Sequence, residues 1–168
     1  MQRVSHPCPC GFSSDSRREC HCTPLQIQRY QSRISGPLMD RIDMQVEVPA
    51  VPHTDLMRHK PGESSTSIRK RVVAARDIQR HRFGRTKIYN NAQMTSRHIR
   101  AHCRIGKDAQ EILTTAIERL GLSARAWNRI LKISRTIADL DAAADIRVDH
   151  VTEAIQYRSL DRSRKQPV

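Results

Sequence analysis

The sequence lacks a phosphate-binding loop. Such a loop has the pattern G-x-x-x-x-G-K-[ST], in which glycines let backbone N–H groups approach the phosphates and the lysine supplies charge. None of the six glycines is followed by Lys-Ser or Lys-Thr, and no apolar run ends in the Asp-Glu pair that would hold Mg²⁺ and orient water. The chain by itself is therefore predicted not to hydrolyse ATP.

Long apolar runs are missing as well. No run approaches the roughly 20 residues of a membrane-spanning helix. The start, MQRVSHPCPC, has no apolar segment behind its arginine, so it does not match a secretory leader. These features predict a cytoplasmic protein without a membrane partner.

Positive charge is abundant. Lys and Arg number 30 against 17 Asp and Glu, which gives a net charge of +13. Such an excess indicates contact with polyanions such as nucleic acid or nucleotide phosphates, and the alternative is that it only maintains solubility. The predicted DNA-contacting side chains are arginines of two adjacent helices: Arg69, Arg76, Arg80, Arg82, Arg97 and Arg100.

Four of the five cysteines form the pattern C-x-C-x9-C-x-C, namely Cys8, Cys10, Cys20 and Cys22. Two such hooks joined by a turn can place four thiolates around one Zn²⁺ in a closed structural site. Disulfides and unliganded thiols are the alternatives, and disulfides are disfavoured in a cytoplasmic chain. His6 or His21 are further possible ligands, although both are expected outside the metal's immediate ligand set.

The periodicity predicts a mainly α protein. Thr23-Pro24 begins a helix that stops at residues 35–37, and residues 44–48 alternate like a strand. Residues 1–52 are predicted to form one domain and 53–66 a linker. A helical bundle over 67–162 and a tail over 163–168 follow, and the predicted bundle helices are 67–82, 95–103, 108–120, 123–140 and 149–159.

The bundle helices have predicted inward faces. The first is expected to bury Ile68, Val72, Ala75 and Ile78 and to expose its arginines. The helix from Ser123 has two apolar rows and is expected to be the central one. Cys103 is predicted to be a small buried hydrophobic residue.

Several sequence blocks together resemble one family. These are HPCPCG, RRECHC, QIQRYQSRISGPLMDRIDMQVEVP, GESSTSIRKRV, LGLSARAWNRILKISRTIADLD and HVTEAIQYRSLDR. They resemble the C-terminal half of the Mg-chelatase-like AAA+ family of the ComM or YifB type. The resemblance implies the tail of an AAA+ α/β core with a tetracysteine knuckle, followed by a helical-bundle lid.

The same resemblance has functional implications. Members of the family are ATPases that form hexameric rings, and the ComM type is a DNA helicase acting in branch migration. ATP and Mg²⁺ would be bound only together with an N-terminal half that contains the P-loop. The chain is accordingly expected to be a C-terminal fragment of such a motor.

The resemblance assigns three residues to nucleotide chemistry. Arg41, in PLMDRID, matches the arginine finger that acts on the neighbouring subunit's ATP, and the alternative is a surface arginine held by Asp40 and Asp43. Arg125, in LSARA, matches the second sensor, which contacts the ATP phosphate from the lid. His6 stands at the asparagine position of the first sensor.

Arg125 has a physical peculiarity that fits this assignment. A cation in the first turn of a helix opposes the helix dipole, at a cost of about 0.3–1 kcal/mol. A bound phosphate would offset that cost. Pairing with Glu118 or Asp139 is the alternative explanation.

Three functions follow in order of preference. The first is an ATP-dependent DNA-remodelling motor, to which this chain contributes the finger, the sensor and the lid. The second is a non-catalytic, zinc-stabilised module that binds DNA or a protein partner. The third is a magnesium-chelatase subunit.

Overall fold

The computed structural model describes residues 5–13, 15, 17–49, 51, 57, 62–84 and 86–158. The chain divides into two compact units, one made of residues 1–42 and 46–60 and the other of residues 43–45 and 61–168. Within the described residues the structure contains seven α-helices and no β-strand. The prediction of a mainly α protein is confirmed. The predicted tail at 163–168 lies outside the described residues.

The first unit contains helices α1 (Pro24–Ser32) and α2 (Gly36–Arg41). Thr23 begins α1 with a capping box: its hydroxyl accepts from the Gln26 N–H at 3.3 Å, and the Gln26 side chain accepts from the Thr23 N–H at 2.9 Å. Ser35 caps α2 with a single hydrogen bond, which its hydroxyl accepts from the Leu38 N–H at 3.4 Å. The predicted start of the first helix is confirmed. The predicted stop is only approximate, because the helix already ends at Ser32 and Gly36 begins α2.

The predicted strand at residues 44–48 is wrong. This segment is extended, but no described residue pairs with it as a neighbouring strand. The Gln45 N–H instead donates to the Tyr157 carbonyl oxygen at 2.8 Å, and Val48 is 84% exposed. Alternation specifies a strand only where another strand supplies the ladder of hydrogen bonds.

The second unit is a helical bundle. Its elements are α3 (Ser65–Phe83), a 3₁₀ turn (Asn91–Gln93), α4 (Ser96–His102), α5 (Lys107–Leu120), α6 (Ala124–Leu140) and α7 (Val148–Gln156). Gly84 and Gly121 end α3 and α5 with φ of +52° and +58°, a conformation that glycine adopts without steric cost. A single parallel bridge joins Ile105 to Ile146 and fixes two loops to each other.

Helix α6 is the centre of this bundle, as predicted. It packs against α3, α4, α5, α7 and the 3₁₀ turn. Ala126, Ile130 and Ala138 are fully buried, and Leu113 of α5 and Val151 of α7 complete the same core. Cys103 is buried there too, and burial raises the pKa of its thiol to about 11, so it is a neutral apolar side chain.

The predicted inward face of α3 is partly wrong. Ala75 is buried, but Ile68 and Val72 are 41% and 44% exposed. The buried face consists of Ala75, Gln79 and Phe83 in the C-terminal half of the helix. Positions 75, 79 and 83 have the spacing of one helix face. A pattern based on apolar residues does not detect this face, because Gln79 is polar.

No described helix combines the length and the apolar character that crossing a membrane requires.

Candidate functional site

The four paired cysteines converge. The sulfur atom of Cys8 lies 3.3 Å from that of Cys10 and 3.8 Å from that of Cys20, and Cys10 and Cys20 are 3.6 Å apart. All four sulfur atoms, including that of Cys22, lie within 4.8 Å of one another. Among the described residues this is the cluster with metal-ligand geometry, and neither His6 nor His21 belongs to it.

The local chain explains this convergence. The Gly11 N–H donates to the Cys8 carbonyl oxygen at 3.1 Å, and Gly11 has φ of +85°, so the first hook closes in a tight turn. The side-chain amide of Gln31 on α1 donates to the Pro7 carbonyl oxygen at 3.1 Å. The first hook is thereby held against α1.

Two arginines make contacts within the knuckle, defined here as residues 8–22. The Arg18 guanidinium lies 5.1 Å from the centre of the Phe12 ring. Arg17 is anchored by Asp15 and donates to the Val51 carbonyl oxygen at 3.0 Å. These contacts hold the two arginines within the segment that joins the two pairs of cysteines.

The hydrogen bonds of the knuckle already favour one thiolate. The backbone N–H of Phe12 and the thiol of Cys8 lower the pKa of Cys10 to about 6. A backbone hydrogen bond from Cys22 opposes the change at Cys20, but desolvation and the hydrogen bond with Cys10 raise the pKa of Cys20 to about 12. The cluster therefore shares its protons unevenly and concentrates negative charge at Cys10.

The sulfur spacing fits a zinc ion. A tetrahedron with zinc–sulfur bonds of about 2.3 Å has sulfur–sulfur edges of about 3.8 Å. The three sulfur–sulfur separations of 3.3–3.8 Å approach that edge, whereas a disulfide bond is about 2.05 Å long. All five cysteines are free, so the disulfide alternative is not present in this structure. A four-thiolate site is closed and structural, because no position is left for substrate or water.

We expect Cys20→Ser to abolish zinc binding, because serine replaces a soft thiolate with a poorly ionised hydroxyl. Elemental analysis of the purified chain should give about one zinc per molecule, as a four-thiolate site implies. Cys103→Ser is the matched control, since Cys103 lies outside the cluster, and it should keep the metal. Well-folded, metal-free wild-type protein with four titratable knuckle thiols would contradict the assignment.

His6 lies beside the knuckle rather than among its ligands. It is exposed, and its ring faces Gly11, with Nδ1 3.5 Å from where a Cβ on that glycine would be. The assignment of His6 to a first sensor stays a prediction.

Arg41 and Arg125 occupy exposed helix ends. Arg41 is the last residue of α2, and Arg125 is the second residue of α6. The carboxylate of Asp43, one of the two predicted partners of Arg41, accepts from Arg129. Asp139 is not the partner of Arg125, because it follows Arg125 by fourteen residues, which corresponds to about 21 Å along the helix.

Five of the six predicted DNA-contacting arginines are exposed. We refer to these five exposed side chains of α3 and α4 together as the basic surface: Arg69, Arg76, Arg80, Arg97 and Arg100. Arg80 pairs with Asp77 across an exposed i,i+3 spacing, which is worth about 1 kcal/mol or less. Such a pair leaves the cation accessible to another anion.

The sixth, Arg82, has a different environment, and we correct its assignment. Its side chain is 13% exposed and forms a two-pronged ion pair with the fully buried Asp139 of α6. Arg135 also donates to Asp139, at 3.1 Å. Arg82 thus serves the bundle core, and it is not part of the basic surface.

This buried network was missed by sequence reasoning. Asn91 of the 3₁₀ turn donates to Asp139 at 2.8 Å and accepts from Arg82 at 3.0 Å. The two terminal nitrogens of Arg135 donate to the carbonyl oxygens of Ala143 and Ala144. Asp139 follows Arg135 at i+4, but that signal does not distinguish a buried pair from an exposed one.

Comparison with known proteins identifies the family. The model described as magnesium chelatase, subunit ChlI matches residues 3–56, and the one described as its C-terminal part matches residues 62–158. The chain therefore belongs to the Mg-chelatase-like family of the ComM and YifB type.

Three relatives illustrate the similarity. YifB of Salmonella typhimurium is 40% identical over 158 residues, and the competence protein ComM of Haemophilus influenzae is 39% identical over 158 residues; each match covers 94% of this chain. A Mycobacterium tuberculosis protein is 30% identical over 155 residues, or 92% of the chain. The chain spans about 30% of the length of each of these relatives.

Proposed function

We propose that this chain is the C-terminal part of an ATP-driven, hexameric AAA+ motor that remodels DNA. Its best support is the pair of consecutive family matches over residues 3–56 and 62–158, together with the ComM relative aligned over 94% of the chain. In such a motor Arg41 acts on the neighbouring subunit's ATP, and Arg125 contacts the phosphate bound to its own subunit. The bundle is the lid, and the knuckle holds a structural Zn²⁺.

The motor role is tested by a chimera. In this chimera, residues 7–158 replace the matching segment of ComM from Haemophilus influenzae. They are thereby joined to the N-terminal part of ComM. The chimera should hydrolyse ATP, whereas the chain alone should not, because it has no phosphate-binding loop. An inactive, correctly assembled chimera would contradict the motor role.

The DNA role rests on the basic surface. Replacing Arg69 and Arg76 with glutamine should weaken DNA binding and flatten its salt dependence, because each lost phosphate contact removes about 0.9 from the slope for duplex DNA. Fluorescence anisotropy of labelled duplex across a salt series measures both quantities. Both side chains are exposed, so the fold should not change.

The matched control is Arg119→Gln, in the last turn of α5. It removes one positive charge outside the basic surface, half of what the double variant removes, and should leave the slope unchanged. Salt-independent binding, or no binding at low salt, would contradict the DNA role and move DNA contact to another part of the motor.

A second candidate function is a non-catalytic module that binds DNA or a protein partner. The observation that favours it is the missing phosphate-binding loop within this sequence. An active chimera would exclude it. The magnesium-chelatase role is supported by the description of the family models alone.

A further inference from the structure

The bundle contains a cleft of about 590 Å³ between α4, α5 and α6. Its apolar lining includes Leu131, which is buried in the core, and Ile105 and Trp127, which are half-buried and also pack against that core. Clefts of roughly 300–1,000 Å³ with an apolar lining and a few polar groups are typical ligand sites. The parallel bridge from Ile105 to Ile146 fixes the loop at its edge.

The charged side chains that line this cleft are all positive. Arg100 and Arg104 lie among its lining residues, and no carboxylate does. Neither arginine side chain forms an ion pair or a hydrogen bond within the described part of the chain. Both guanidinium groups are thus available to an anion at the mouth of the cleft.

The polar groups of the wall are also available. The indole of Trp127 and the amide of Asn128 are both half-buried, and neither is hydrogen-bonded to a described residue. A partly buried indole N–H ordinarily has a partner. An aromatic face, an amide and two cations form the set that binds a nucleobase and its flanking phosphates.

The other large depression in the surface does not offer unpaired positive charge. It measures about 940 Å³ and runs along α7, but Arg147 at its edge is paired with Asp141 and Asp149. Hydrogen bonds from Arg147 lower the pKa of both carboxyl groups. The charges there neutralise one another, so that surface offers nothing to an anion.

We propose that the cleft binds an unpaired base of single-stranded DNA, stacked on Trp127, with the adjoining phosphates on Arg100 and Arg104. This inference rests on the proposed DNA contact, since Arg100 belongs to both the basic surface and the cleft. A base within a duplex is already stacked on its neighbours and cannot enter a concave site, whereas an unpaired base can. The basic surface then tracks the backbone and the cleft recognises the single strand.

The cleft is separate from the proposed sensor. Trp127 follows Arg125 by two positions, which places the two side chains about 200° apart around α6. Substitutions at Trp127 therefore test the cleft without removing the group proposed to contact ATP.

The chain has a built-in reporter, because Trp127 is its only tryptophan. Titrating the full chain with a short thymidine oligonucleotide at low salt should quench its fluorescence to saturation. Trp127→Ala should weaken anisotropy-measured binding of that oligonucleotide about 5- to 150-fold, the range expected for one stacked base. Trp127→Phe, which keeps a ring, should lose less, and Arg104→Gln should lower the salt slope by about 0.7.

Tyr89→Ala is the matched control, since Tyr89 is an exposed aromatic residue outside the cleft, and it should bind like the wild type. Single-strand binding that is unchanged in folded Trp127→Ala would overturn the cleft while leaving the DNA role intact. Quenching by thymidine monophosphate at the oligonucleotide's concentrations would also overturn it, in favour of a free-nucleotide site. Loss of both duplex and single-strand binding in the wild type would instead refute the DNA role.

Discussion

Asp139→Asn is expected to lower the free energy of unfolding of the bundle by about 3–5 kcal/mol, because it leaves two buried cations without their shared anion. Asp139 is fully buried and accepts from Arg82, Arg135 and Asn91. An asparagine amide at this position would also direct N–H donors at N–H donors. Urea unfolding followed by Trp127 fluorescence and by circular dichroism measures the change.

Asp77→Asn is the matched control. Asp77 also pairs with an arginine of α3, but both partners are more than half exposed. Solvent screening limits such a pair to about 1 kcal/mol or less. Equal losses for the two variants would show that burial does not set the energy of the Asp139 network.

The sequence was sufficient for the helical framework. Thr23-Pro24, Gly84 and Gly121 mark helix ends by local rules, because caps depend only on neighbouring residues. The wide apolar face of α6 also identified the central helix. The paired cysteines indicated their own convergence, since ligand type and spacing are both visible in the sequence.

The features that were predicted incorrectly or not at all share one physical cause: each depends on residues that are far away in the sequence. Arg82 was assigned to the surface because a lone arginine does not reveal its partner, and Asp139 is 57 positions away. The strand at residues 44–48 required a neighbouring strand that none of the described residues provides. The cleft beside Trp127 is made by three helices at once, so no local pattern predicts it.

The burial of a polar side chain, Gln79, explains why the buried face of α3 was predicted incorrectly. Gln79 is 4% exposed, and its side-chain oxygen accepts from the Asn91 N–H at 3.4 Å. This contact and the Arg82 pair attach the C-terminal half of α3 to the core. Ile68 and Val72 lie in the N-terminal half, beyond those attachments, and remain exposed.

Arg41→Ala in the ComM chimera is expected to reduce ATP turnover by about 10³-fold or more, the effect of losing a cation that stabilises charge in phosphoryl transfer. Arg125→Ala should also reduce turnover strongly, because it removes the proposed phosphate contact from the lid. Nucleotide binding, measured separately, should weaken more for Arg125→Ala than for Arg41→Ala. That difference is expected because Arg125 contacts the nucleotide bound to its own subunit, whereas Arg41 contacts the nucleotide bound to the neighbouring subunit.

Mixed rings separate the two roles. A site formed by an Arg41→Ala subunit that binds nucleotide and an Arg125→Ala neighbour that supplies the finger contains both native arginines. Equal mixing should therefore restore activity at roughly a quarter of the interfaces, since a finger acts in trans within a closed ring. Rings formed from either variant alone should stay inactive. Two inactive variants that never complement each other in mixed rings would place both arginines on the same side of the interface, and the finger assignment of Arg41 would then be wrong.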